Sequence, residues 1–115
     1  DVNRSVFDFS LTDFAEDAQI ACYAGDQRGH YDWHSDVGAS EVARRRKLTM
    51  VIQLSEPDQY EGGQLQLNPS GNIIDAPMER GSAIFFPSFV LHRVAPTTSG
   101  VRYSLTQWVH GNPFR

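Results

Sequence analysis

Two of the four histidines in the chain stand where they could bind a metal: His34, two residues before Asp36, and His92, far downstream. Side chains two apart in an extended segment point to one face, so His34 and Asp36 can present an imidazole and a carboxylate together. His92 lies between the apolar runs Ile84-Phe85-Phe86 and Val90-Leu91 on one side and Val94 on the other. Two imidazoles and one carboxylate can occupy one face of an octahedral ferrous ion and leave three positions open. Zinc more often takes a closed tetrahedral set or a third strong protein ligand. Arg102 follows His92 by ten residues, and Ser104 follows Arg102 by two. A buried guanidinium needs an anion, and its planar fork matches a carboxylate through two contacts. Ser104, on the same strand face, can donate a further hydrogen bond to that anion. Plainer readings exist for each residue: a strand histidine is commonly surface or core, and Arg102 could pair with any of 14 acidic residues. Order and spacing together favour a metal with an anionic ligand beside it.

Such a set needs a scaffold of strands. Turn signals recur at short intervals, among them Gly25-Asp26, Glu56-Pro57-Asp58, Gly62-Gly63, Pro69-Ser70-Gly71 and Gly100,. Between them, runs rich in Val, Ile, Tyr, Phe and Thr predict strands over 6–11, 19–24, 30–34, 47–54, 64–67, 73–76, 82–86, 90–94 and 101–110,. Residues 12–17 suit a short helical turn, and 41–46 suit either helix or loop. Many short strands with frequent Gly and Pro turns predict an all-β sandwich or barrel, and their number suits a jelly roll. In the last strand the odd positions are mostly apolar and the even ones, Arg102, Ser104, Thr106, Trp108 and His110, mostly polar. The usual arrangement puts the polar face in water. The alternative, favoured by Arg102, is that the even face lines an interior cavity.

Composition narrows the class. With 115 residues, one domain over 1–115 is expected,. Ten basic against 14 acidic residues leave a net charge of −4, which argues against a duplex-binding module. No apolar run approaches the ~20 residues that span a bilayer. The lone Cys22 excludes an intrachain disulfide and a Cys-rich zinc site, and fits a reducing compartment such as the cytoplasm,. Arg44-Arg45-Arg46-Lys47 reads as a solvated basic loop, with attraction of an acidic substrate as the alternative,. Gly62-Gly63 suits a turn or bulge, and Pro87 the close of a strand,.

Several segments resemble one family: Cys22-Tyr23-Ala24-Gly25, Tyr31-Asp32-Trp33-His34-Ser35-Asp36, Arg46-Lys47-Leu48-Thr49, Gln53-Leu54-Ser55, Tyr60-Glu61-Gly62-Gly63-Gln64-Leu65, Gly81-Ser82-Ala83-Ile84-Phe85-Phe86-Pro87-Ser88, Leu91-His92-Arg93-Val94 and Gly100-Val101-Arg102-Tyr103-Ser104-Leu105. Together they resemble the prolyl 4-hydroxylase-like branch of the Fe(II)/2-oxoglutarate-dependent dioxygenases, including PKHD-type hydroxylases, from about residue 19 to the C-terminus. The resemblance implies a double-stranded β-helix with iron at its open end, and His34, Asp36 and His92 as the iron ligands. It implies that Arg102, helped by Ser104, takes the distal carboxylate of 2-oxoglutarate, with Tyr23 contacting this cosubstrate and Thr106 and Trp108 near the metal and pocket wall. The expected reaction hydroxylates a C–H bond, in a prolyl or other residue of a peptide or protein, with O2 consumed and ascorbate as an auxiliary reductant. A free amino acid or other small metabolite is the alternative substrate, and a catalytically silent cupin-like metal module the alternative class. Tyr31, Trp33 and the loop 37–45 would shape the substrate entrance. Helices that cover the outer sheet in this family have little room before residue 19, so Phe7, Phe9 and Leu11 are expected to cover part of it. An uncovered apolar face would favour a homodimer.

Overall fold

The computed structural model describes residues 11–13 and 16–111. Its spine is the last strand, β10 (Thr97–Gly111), and the strands that flank it come from the N-terminal part and the middle of the sequence. Along one edge β10 pairs antiparallel with β1 (Leu11–Asp13) and β2 (Gln19–Ala24). Along the other it pairs with β4 (Arg46–Gln53) and, nearer its start, β5 (Tyr60–Gly62). β8 (Ala83–Pro87) closes this sheet beyond β4, and Pro87 ends the strand as expected. A second, four-stranded sheet runs in the order β3 (Tyr31–His34), β9 (Leu91–Val94), β6 (Leu65–Asn68), β7 (Ile74–Asp75). Val51, Ile84 and Phe86 of the larger sheet form one buried cluster with Leu65 and Val94 of the smaller. The two inner faces therefore pack on each other, giving a double-stranded β-helix, the jelly-roll variant predicted.

The even face of β10 turns inward. Arg102 is 1% exposed and His110 fully buried, whereas the odd-numbered Tyr103 is 45% exposed. The polar face is thus the wall of a cavity and the apolar face the outside of the sheet, the reverse of the usual arrangement. Ile20, Val101 and Tyr103 stand exposed on that outer face; Phe7 and Phe9, expected to cover it, lie outside the described residues.

Three expectations need correction. Thr12 and Asp13 lie in β1, not in a helical turn, because Leu11–Asp13 finds backbone partners at Gly111 and His110. The predicted strand 6–11 reaches the described residues only at Leu11. Tyr60–Gly62 is a strand where only a turn was expected, since the start of β10 supplies its hydrogen-bond partners. The turn follows it: Gly62 and Gly63 have φ of 73° and 65°, and a Cβ on Gly62 would come 2.2 Å from the Pro96 carbonyl oxygen,. Finally, 44–47 is not a solvated loop. A single helical turn, α1 (Glu41–Arg44), is capped by Ser40, whose Oγ accepts from the Ala43 N–H,. Arg46 and Lys47 already belong to β4, with Lys47 buried and Arg46 half-buried; only Arg44 is exposed.

Candidate metal centre

His34 ends β3 and His92 lies on β9, and the two are direct cross-strand partners. Their ring centroids are 4.2 Å apart. Asp36 sits just beyond β3, outside any strand, tied down where its backbone N–H donates to the Ser88 carbonyl at 2.9 Å. One carboxylate oxygen, Oδ1, lies 3.4 Å from Nε2 of His34 and 3.2 Å from Nε2 of His92. These three are the one group of metal-binding side chains converging on a common point among the described residues.

Neighbouring groups fix which atoms face that point. Nδ1–H of His34 donates to the Asp32 carbonyl at 2.7 Å, and Nδ1–H of His92 donates to the Val90 carbonyl at 2.8 Å. A carbonyl only accepts, so both Nδ1 atoms carry the proton and both Nε2 atoms turn to Asp36. The other carboxylate oxygen, Oδ2, accepts from the Thr49 hydroxyl at 2.8 Å and from the Trp108 indole N–H at 3.0 Å. Thr49 has a single proton, so the Ser88 hydroxyl, 2.9 Å away, must donate to it,. Thr49 and Trp108 are cross-strand partners on β4 and β10, which explains how one carboxylate receives both donors. Oδ1 alone is left for the common point.

Two nitrogen lone pairs and an anionic oxygen so close together require positive charge between them, as protons on Nε2 or as a metal cation. Metal–ligand bonds of about 2.1 Å place neighbouring ligand atoms about 3.0–3.4 Å apart at octahedral or tetrahedral angles, which matches the separation of Asp36 Oδ1 from each Nε2. Burial pushes the Asp36 carboxyl up, but hydrogen bonds from His34, His92 and Trp108 outweigh it and hold the group far below the usual carboxylate range. For His34, burial lowers the pKa, yet the Asp36 and Asp32 hydrogen bonds carry it above the ordinary value. Both shifts favour positive charge at this point. The donor set, two imidazoles and a carboxylate open on one side, fits iron(II).

The open side is a cavity of about 500 Å³, large enough for a small organic ligand. Its lining includes the row Tyr23, Arg102, Ser104 and Thr106 from β2 and β10. Nη2 of Arg102 donates to Gln53 Oε1 at 2.8 Å, and the Tyr60 hydroxyl lies near the guanidinium, but its buried Nε and Nη1 make no well-formed hydrogen bond among the described residues. Burial lowers its pKa, but a guanidinium stays charged at any physiological pH. Unpaired donors on a buried cation are costly, and an anion in the cavity would remove that cost. Ser104 is 3% exposed and Thr106 half-buried on the same face. Tyr23 is the cross-strand partner of Arg102, whose guanidinium carbon lies 5.3 Å from its ring centroid. Burial raises the Tyr23 pKa more than Arg102 lowers it, leaving a neutral phenol able to donate.

All sequence-chosen site residues thus line one cavity: the triad, Arg102, Ser104, Tyr23, Thr106 and Trp108. Tyr31 is there too, its ring 3.9 Å from that of His34, whereas Trp33 lies under Arg93 and does not line it. Sequence reasoning missed the roles of Thr49, Ser88 and Gln53. Alternation along β4 could have flagged Thr49 and Gln53 as an inward polar pair; Ser88 stood out only as part of a turn, with nothing local to mark its contact with Thr49.

Residues 18–110 match the 2OG-Fe(II) oxygenase superfamily. A PKHD-type hydroxylase of Colwellia psychrerythraea is 36% identical over 86 residues, covering 73% of this chain and 39% of that protein. One from Parvibaculum lavamentivorans is 40% identical over 80 residues, covering 69% and 36%. A crystal structure of a Pseudomonas putida prolyl-4-hydroxylase superposes with a TM-score of 0.75 at 29% identity, over 96% of this chain and 59% of that one. A Trichoplax adhaerens prolyl hydroxylase, in complex with a hypoxia inducible factor oxygen degradation domain peptide fragment, shares the fold with a TM-score of 0.77 at 24% identity, over 96% and 50%. The chain spans about two fifths of the length of the curated relatives it matches.

Proposed function

The chain belongs to the 2OG-Fe(II) oxygenase superfamily, and on that premise we propose that it is a 2-oxoglutarate-dependent dioxygenase of the prolyl-hydroxylase type. The reaction combines R–H, O2 and 2-oxoglutarate to give R–OH, succinate and CO2. R–H is a prolyl or other residue of a peptide or protein, a reading supported by the PKHD-type relatives and by the peptide held in the same fold by the Trichoplax enzyme. The observation that carries the proposal is one cavity lined both by a two-His-one-carboxylate set and by a buried, incompletely paired guanidinium.

His34, Asp36 and His92 hold iron(II). Bound there, the iron supplies the oxidising chemistry that couples loss of CO2 from 2-oxoglutarate to oxygen insertion into the C–H bond. Arg102 binds the distal carboxylate of the cosubstrate through its unpaired nitrogens, and Ser104 adds a hydroxyl donor. Tyr23 donates from the same wall. Thr106 shapes the floor between Arg102 and the metal. Gln53 holds the guanidinium in place, so the cosubstrate meets a preorganised donor. Thr49 and Trp108 keep Asp36 turned so that one oxygen faces the ion, while buried Val51, Leu65 and Val94 along the cavity limit water. The test is to incubate the protein with Fe(II), ascorbate, 2-oxoglutarate, air and a panel of proline-containing peptides. Succinate formation with a gain of one oxygen in a peptide supports the proposal. Absence of both from protein that binds iron and 2-oxoglutarate at full occupancy, with a small-metabolite panel also inert, contradicts it.

A further inference from the structure

Two arginines line the cavity, and their surroundings differ. Among the described residues two nitrogens of Arg102 make no hydrogen bond, whereas all three of Arg46 make one. Nε and Nη2 of Arg46 donate to the two carboxylate oxygens of Glu16, with Nε to Oε2 at 2.7 Å. Its Nη1 lies 3.3 Å from the backbone carbonyl of Asp36, to which it donates. Its guanidinium carbon sits 3.9 Å from the centre of the Trp108 ring. Trp108 in turn donates to Asp36 Oδ2. Arg46 therefore holds the acidic member of the triad twice, through its backbone and through the indole that orients its carboxylate.

Glu16 anchors the arrangement from behind. Besides the bidentate pair with Arg46, its Oε2 lies 2.8 Å from Nε2 of fully buried His110, and its backbone carbonyl accepts from the Gln107 side chain at 2.9 Å. His110 is two residues beyond Trp108 and shares its inward face. Asp36 needs such support more than the two imidazoles do. His34 and His92 are fixed by strand pairing, but Asp36 lies outside every strand.

We infer that Glu16 and Arg46 form a positioning pair for the metal site: Glu16 fixes Arg46, and Arg46 fixes Asp36 directly and through Trp108, so metal affinity depends on a glutamate that touches neither the metal ligands nor the cavity. The inference rests on the reading that His34, Asp36 and His92 hold a divalent ion. It also gives Arg46 an acidic partner of its own, with each guanidinium nitrogen making one hydrogen bond. An arginine at a bidentate, stacked position is not replaceable by lysine, which keeps the charge but has no plane. Partners of this kind typically change metal affinity ten- to a hundredfold.

Cobalt(II) titration of the full chain, followed by its visible absorption bands, tests this at a temperature where circular dichroism shows each variant folded. Wild-type protein should bind one cobalt per chain, and His34→Ala should abolish binding; failure of either overturns the metal reading itself. Granted those results, Glu16→Ala and Arg46→Lys should each weaken cobalt binding about tenfold or more and shift the band pattern, with Glu16→Gln, which keeps the shape, falling between them and wild type. A purely structural pair would lower the melting temperature and leave affinity and spectrum unchanged. Wild-type cobalt affinity in folded Glu16→Ala and Arg46→Lys would overturn the inference.

Discussion

Replacing Arg102 by methionine separates cosubstrate binding from metal binding. The side chain is 1% exposed and two of its nitrogens make no hydrogen bond among the described residues, so the distal carboxylate of 2-oxoglutarate would meet a desolvated cation. Removing one member of a buried, hydrogen-bonded charge pair costs about 2–5 kcal/mol, or roughly 30- to several-thousand-fold in affinity. Thermal melting reads this out. With metal present and 2-oxoglutarate at 100 times its wild-type Kd, mass action stabilises the folded protein by about 2.7 kcal/mol. For a chain of this size that raises Tm by on the order of 10–20 °C. A 30-fold weaker site at the same concentration keeps only about 0.9 kcal/mol, a rise of at most about 7 °C. Arg102→Lys should fall between, having the charge without the fork. Metal alone should stabilise all three proteins equally, because Arg102 makes no contact with the triad among the hydrogen bonds of the described residues. An undiminished 2-oxoglutarate shift in Arg102→Met would refute the assignment.

His34→Ala, Asp36→Ala and His92→Ala should each abolish stoichiometric Fe(II) binding and 2-oxoglutarate turnover, measured by anaerobic iron titration and succinate analysis. Thr49→Val removes one donor to Asp36 Oδ2 with little change of shape, and should weaken metal binding about tenfold in the same titration. Glu16 gives a pH signature. The Arg46 hydrogen bond holds its carboxyl below the usual range, against the effect of burial. Its contribution to stability is therefore complete above the unfolded pKa near 4.5 and lost as pH falls through the lower folded value,. Wild type and Glu16→Gln should differ in Tm near neutrality and converge on acidification; a constant gap would contradict the pairing.

Much of this architecture was legible from the residues. The His34–Asp36 spacing, the distance to His92, and the Arg102–Ser104 pair all rest on strand alternation, a local property. The even face of β10 posed the harder choice, since alternation alone cannot say which face is wet; Arg102 and Ser104 decided it, and the burial of Arg102 bears that out. What escaped was non-local. Thr49 and Trp108 meet at Asp36 only through the β4–β10 register. Arg46 looked like part of a charged loop because its neighbours in sequence are basic, while its partners, Glu16 and Trp108, lie 30 and 62 positions away. β1 and β5 are three-residue strands whose existence depends on the edges of β10, and no propensity in so short a segment announces them.

The central claim is that one cavity joins a ferrous site to a carboxylate receptor. Anaerobic calorimetry of 2-oxoglutarate binding, with and without Fe(II), tests it most directly. The account predicts one 2-oxoglutarate per chain, tight only with iron present, and lost independently in Asp36→Ala and in Arg102→Met. Equal binding without iron, or binding that survives both substitutions, would contradict it.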